Sequence, residues 1–206
     1  MDAHDPYYVP SHCGASTLKR SARVAYLNGD LRLAARAHDQ YRAAMRCVDR
    51  SLGALFAALE RDPDYATTTV IVVGDHGEQF GELGRILHGN SVYRPMLHVP
   101  LIVRVPGQKP ARVVSPISIT DIHPMLLGLP ARRAVVSFYQ RENEGAFSAV
   151  VDGHQVIRDR DGSETVFVRN GGEADPAAVR AARDAIDREL AARRGTGEFR
   201  ALGYLQ

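Results

Sequence analysis

Apolar residues recur at helical spacing in the first third of the chain. Tyr41, Met45, Val48, Leu52, Leu55 and Leu59 are separated by steps of 4, 3, 4, 3 and 4. That spacing predicts a helix over about 31–61 with one stripe for core packing. Pro63 stops it, because proline cannot donate the next helical hydrogen bond. Before the helix, Pro6, Pro10 and Gly14 mark residues 1–14 as a loop. A short helix is expected over 16–27, then a turn at Asn28-Gly29-Asp30 with Asp30 as the cap of the long helix.

The period then changes. Thr67 to Val73 is a continuous β-branched run, and Val99 to Val105 is a second, largely apolar run closed by Pro106-Gly107. Continuous runs of this kind predict strands buried on both faces, as in a parallel sheet. A further strand is expected near Val113-Val114, and a short helix over 121–129 capped by Asp121. Helix followed by buried strand, twice over, predicts an α/β sandwich with a mainly parallel sheet. From about 134 to 170 apolar positions alternate, with Asp152-Gly153 and Asp161-Gly162 as turn dipeptides. This predicts a small antiparallel meander. Asp175-Pro176 opens a last helix over 175–193, with Val179, Ala182, Ile186 and Leu190 on one stripe. The apolar tail FRALGYLQ is expected to dock.

Composition narrows the function classes. The chain has 206 residues and a formal charge of +2, with 26 basic and 24 acidic residues interspersed. No basic block with interleaved aromatics suggests nucleic acid. No apolar run approaches the ~20 residues of a membrane helix, and no signal peptide is visible. Localisation is therefore unknown from the sequence. The two cysteines, Cys13 and Cys47, lie in no metal-binding or redox spacing, and no disulfide framework is expected.

The candidate chemistry lies in VIVVGDHGEQFGELGRILHGNS, residues 70–91. In an open α/β sheet, ligands gather at the carboxyl ends of strands. Asp75 and His76 follow such an end, between Gly74 and Gly77. A hard carboxylate oxygen beside a borderline imidazole nitrogen suits a divalent metal. The alternative is that Asp75 caps a turn and His76 is an ordinary loop residue. His88 follows a polar loop that can fold back on the same site. His4 lies in the first loop with no evident packing reason. His12, His38, His98, His123 and His154 form no constellation and are taken as structural or exposed.

Four stretches carry a resemblance: DAHDPYY at 2–8, TTVIVVGDHGEQFGE at 68–82, LHGNSVYRPMLHVPLIVRVPG at 87–107 and TDIHPMLLGL at 120–129. Together they resemble the carboxyl-terminal part of a bacterial sulfatase, of the alkaline phosphatase superfamily. The resemblance implies a partial alkaline-phosphatase-like sandwich over 1–130 and a small carboxyl-terminal subdomain over 131–206. It implies metal ligation by Asp75 and His76, with calcium, manganese or zinc as the ion. His4 and His88 would contact the transferred sulfate or phosphate group, or its leaving oxygen. The implied substrate is an anionic sulfate ester, or a phosphate ester if the chain belongs with the superfamily's phosphodiesterases, phosphonate hydrolases or phosphoglycerol transferases. A non-catalytic binding or remnant domain is the reading from another class.

The sulfatase nucleophile, a Cys or Ser in C/S-x-P-x-R, is not in this chain. Cys13 precedes Gly-Ala-Ser-Thr, and Cys47 precedes Val-Asp-Arg-Ser. The expectation is a fragment, inactive alone, that associates with an amino-terminal half or with itself.

Overall fold

The computed structural model describes residues 4, 7–14, 31–140 and 145–193. The helix expected over 16–27, the turn at Asn28–Asp30 and the docking tail lie outside them. The chain divides into two compact units, residues 1–88 with 98–109, and residues 89–97 with 110–206.

In the first unit, α1 spans Leu31–Leu59, close to the range its periodicity predicts. Its buried face differs from the expected stripe. Ala37, Gln40, Ala44 and Cys47 are buried, at steps of 3, 4 and 3, while Met45 and Leu55 are exposed. Small residues mark the side of the helix where other backbone comes close. Tyr7 is fully buried there, packed with Ala37 and bordered by Tyr41, Phe80 and Leu87. The Gln40 side-chain amide donates to the Tyr7 carbonyl at 3.0 Å.

Strand β1 (Val70–Val73) pairs with β4 (Leu101–Arg104), Val70 opposite Arg104 and Val73 opposite Leu101. Between them in sequence lie the short strands β2 (Gln79–Phe80) and β3 (Ile86–Leu87), which pair with each other, and the single helical turn α2 (Arg94–Leu97). Two expectations fail here. Among the described residues every strand pair is antiparallel, so the mainly parallel sheet is not what these strands form. Nor are the two apolar runs fully buried, since Ile102 is 62% and Val103 44% exposed. An apolar run records that a strand suits a covered sheet. It does not record which neighbour pairs with it or covers it.

The second unit contains α2 and, further along, the short helix α3 (Ile122–Leu126). Val113 and Val114 form no strand and stand exposed. Asp121 holds the N-cap position expected of it, but its side chain makes no capping hydrogen bond. Ser118 accepts from the Thr120 amide at the start of the preceding 3-10 turn. The buried Asp121 carboxylate instead accepts from the Arg132 guanidinium at 2.6 Å and from the Arg132 amide at 3.3 Å.

The meander is present as expected: β5 (Val135–Gln140), β6 (Gly145–Val151), β7 (His154–Asp159) and β8 (Glu164–Val168) in one antiparallel sheet. Asp152 and Gly153 both take positive φ at the two-residue β6–β7 turn, the geometry that Asp-Gly dipeptides favour. Helix α4 (Pro176–Arg193) is opened by Asp175, whose carboxylate accepts from the Ala177 amide. Its Val179, Ala182 and Ile186 pack on Phe147, Ala149, Val151 and Val156, with Leu190 at the margin. The other face of the sheet places Ala146 and Ile157 against Val92. The central strand β6 is thus covered on both sides.

Charges join sheet and helix. Arg158 on β7 donates to Glu164 on β8 and to Asp187 on α4, and Arg183 on α4 donates to Glu164. Desolvation raises the Glu164 pKa, but the hydrogen bonds from Arg158 and Arg183 outweigh it and hold the pKa below the usual 4.5. A carboxylate depressed on folding stabilises fully above its unfolded value and loses that stability as pH falls through the folded value. The second unit is therefore expected to lose stability below about pH 4.5, by roughly 1 kcal/mol or less from this network. Thermal melts from pH 7 down to 3 check this. Glu164→Gln should flatten the acid limb, and an unchanged limb in that variant would refute the assignment.

Candidate active site

Strand β1 ends at Gly74, whose amide donates to the Pro100 carbonyl at 3.1 Å. A Cβ at Gly74 would lie 3.1 Å from the Val99 Cβ, a tight approach that a side chain could take only if Val99 shifted. The chain turns and presents Asp75 and His76. Asp75 Oδ1 accepts from the His76 amide at 2.9 Å, and His76 Nδ1 donates to the Gly77 carbonyl at 2.9 Å. Donation from Nδ1 leaves the lone pair on Nε2. That atom lies 3.9 Å from Asp75 Oδ2.

The loop from β2 to β3 returns the chain to this point. Leu87, just before His88, has φ 66, a left-handed conformation that costs a non-glycine residue about 1–2 kcal/mol. The His88 ring stacks on His76 with centroids 4.5 Å apart and an interplanar angle of 29°. His4 meets His88 edge-on at 4.7 Å. Three histidines separated by up to 84 positions in sequence therefore form one cluster, with Asp75 beside it.

One member escaped the sequence analysis. The Glu78 side chain is only 6% exposed and lies 3.2 Å from His88 Nδ1. Its carboxylate accepts from Nδ1–H, which leaves Nε2 of His88 for a ligand. Burial raises the Tyr41 phenol pKa, and the Glu78 charge adds to the rise. The signal was present in the letters DHGE, but an acid two residues after a histidine has many possible roles.

The His4 loop is also better anchored than expected. The Tyr7 amide donates to the His4 carbonyl at 2.5 Å, and Tyr7 itself is fully buried. Further along the loop, Cys13 and Cys47 form a disulfide, their Cα atoms 5.6 Å apart. That corrects the expectation of no disulfide. A separation of 34 residues carries no spacing signal, and only the packing of the loop on α1 brings the sulfurs together. Of the histidines set aside, His154 is structural, with Nδ1 donating to the Asp152 carbonyl and Nε2 accepting from the Asp175 amide.

Two ligand atoms 3.9 Å apart can share one cation, since bonds of ~2.1 Å span up to ~4.2 Å. Asp75 and His76 thus fit a divalent metal as part of a ligand set. Among the described residues no third His, Cys, Asp or Glu atom converges with them.

A mixed α/β fold with a carboxylate and three imidazoles clustered at a strand end suits a hydrolase acting on an anionic ester. The chain matches the Sulfatase family model over residues 1–130, and it belongs to that family. It is 33% identical over 92 residues to the uncharacterized sulfatase YidJ of Escherichia coli, covering 45% of this chain and 18% of that protein. It is 36% identical over 90 residues to an endo-4-O-sulfatase of Bacteroides thetaiotaomicron, covering 43% of this chain and 18% of the relative. It is likewise 36% identical over 90 residues to mouse arylsulfatase K, covering 43% of this chain and 16% of the relative. The solved structure of BT1596, a 2-O GAG sulfatase, superposes with a TM-score of 0.54 at 18% identity, over 83% of this chain and 45% of that one. That likeness shows the fold. The matched stretches thus amount to less than half of each of these proteins. Sulfatases generally use a divalent metal. No helix among the described residues is long and apolar enough to cross a membrane.

Proposed function

We propose that this chain carries the metal- and anion-binding half of a sulfatase site, and that the nucleophile comes from sulfatase sequence outside residues 1–206. The observation that carries the reading is the His4–His88–His76 cluster beside Asp75, in a chain that belongs to the sulfatase family. In this reading residues 1–130 are the carboxyl-terminal part of the sulfatase α/β domain, and 131–206 are a small subdomain.

Asp75 Oδ2 and His76 Nε2 would hold the divalent ion. When bound, the ion supplies Lewis-acid stabilisation of charge on the ester oxygens. His88 is oriented by Glu78 through Nδ1–H, and in its imidazolium form it would also donate through Nε2 to a sulfate oxygen or to the leaving oxygen. His4 adds a second donor to the same anion. Sulfuryl transfer spreads negative charge over several oxygens, and fixed imidazole donors stabilise that charge without reorganisation. The exposed Ile102 and Val103 on β4 are consistent with a sheet that further chain would extend and cover.

Purified 1–206 is expected to show no hydrolysis of an aryl sulfate above the buffer rate with calcium, manganese or zinc. Clear metal-dependent turnover would overturn the claim that the nucleophile lies elsewhere. Intact mass of the product from its native source provides the companion measurement. A mass above 22.6 kDa with sulfatase sequence preceding Met1 is the expected result.

A further inference from the structure

The disulfide has a third neighbour. His12 Nε2 lies 3.7 Å from Cys47 Sγ. The two sulfurs and the imidazole nitrogen all lie within 4.8 Å of one another. A zinc ion binds thiolate at ~2.3 Å and imidazole at ~2.0–2.1 Å, so in a tetrahedral arrangement those two ligand atoms sit ~3.6 Å apart. The observed nitrogen–sulfur separation is already that distance. Cys47 is buried on α1, whereas Cys13 and His12 sit on the loop above it. A cleft lined by Cys13, Ala43, Arg46, Asp49 and Arg50 opens beside them. Arg50 donates to the Cys13 carbonyl at 3.3 Å. Neighbouring guanidinium charge favours thiolate over thiol.

We propose that reduction of the Cys13–Cys47 bond converts His12, Cys13 and Cys47 into a thiolate–imidazole site for a zinc-class cation, separate from Asp75 and His76. The reductant is a small dithiol. It gives two electrons and two protons to the sulfur–sulfur bond, which breaks into two S–H groups, while the dithiol closes to its own disulfide. Metal entry then breaks both S–H bonds. Two metal–sulfur bonds form and two protons leave to solvent, so the complex with neutral His12 carries no net charge. Three protein ligands leave one tetrahedral position open to water. The loop is cross-linked to α1 in both states, by a covalent bond in one and by a metal in the other.

The test uses the full 206-residue chain, reduced with dithiothreitol and freed of it anaerobically. Cobalt(II) is titrated as a spectroscopic probe, followed by zinc in competition. The expected result is one thiolate-bound cobalt per chain, with release of two protons as it binds and a thiolate-to-metal charge-transfer band near the ultraviolet, and zinc then displaces the cobalt with no further proton release. The oxidised chain should show no such band. His12→Ala should weaken binding at least about tenfold, since even indirect partners of metal ligands are worth ~10–100-fold. A Cys13→Ser/Cys47→Ser double variant should abolish the band. Asp75→Asn/His76→Gln should leave it unchanged, which separates this site from the proposed sulfatase metal. No thiolate band in the reduced chain, or a band that survives the double serine variant, overturns the proposal. A band indifferent to His12→Ala overturns the role of the imidazole.

Discussion

Phe147→Ala is expected to destabilise the second unit by ~3–5 kcal/mol, the usual cost of removing a buried aromatic side chain. Phe147 is 2% exposed. It packs on the central strand among Ala149, Val151, Val156 and the apolar stripe of α4, and its ring stacks on Phe138 at 5.6 Å. Most of its buried neighbours are alanines and valines held in regular backbone, which limits how far they can close the void. A loss of that size is a large part of the ~5–15 kcal/mol that holds a domain folded. Hydrogen exchange read over β5–β8 and α4 is the suitable measurement, because it reports each unit separately. Protection in those segments should fall by about two to four orders of magnitude (each tenfold is about 1.4 kcal/mol), while α1 keeps its own. Undiminished protection over the sheet would mean that the α4 interface is not the core of this unit.

Tyr7→Ala is the second large change, and its consequence is functional. The Tyr7 ring fills the space between Ala37, Tyr41 and Phe80, with centroids 5.7 Å from Tyr41 and 5.6 Å from Phe80. Its truncation is expected to cost about 3 kcal/mol locally. Three residues upstream, His4 would lose its place against His88. The Cys13–Cys47 disulfide still tethers the far end of the loop, so the opening should be confined to residues before Cys13. Exchange protection of 7–12 should collapse, and the His88 ring resonances should shift as the His4 ring departs. Tyr7→Phe keeps the ring and should leave both nearly unchanged. Wild-type protection in Tyr7→Ala would mean that the disulfide alone holds the loop.

Legibility in the sequence followed the range of the interactions. The meander and the last helix were readable because their determinants are local. Asp-Gly turns set the β6–β7 register, and a four-residue apolar stripe on α4 met an alternating strand face nearby in sequence. The site was half readable. Asp75 and His76 were visible as polar residues placed at a strand end. Glu78 was not, because its role depends on a histidine ten residues away that the loop must first return.

The sequence by itself determined the long helix, the carboxyl-terminal meander and last helix, which residues are candidates for the chemistry, and that the chain resembles a sulfatase. Each of these depends on periods and spacings written within a few tens of residues. Only the tertiary structure decided which face of α1 is buried, that β1 pairs antiparallel with β4, that Cys13 meets Cys47, and that Glu78 orients His88. Those outcomes depend on which distant segments pack together, and local pattern constrains that choice without making it.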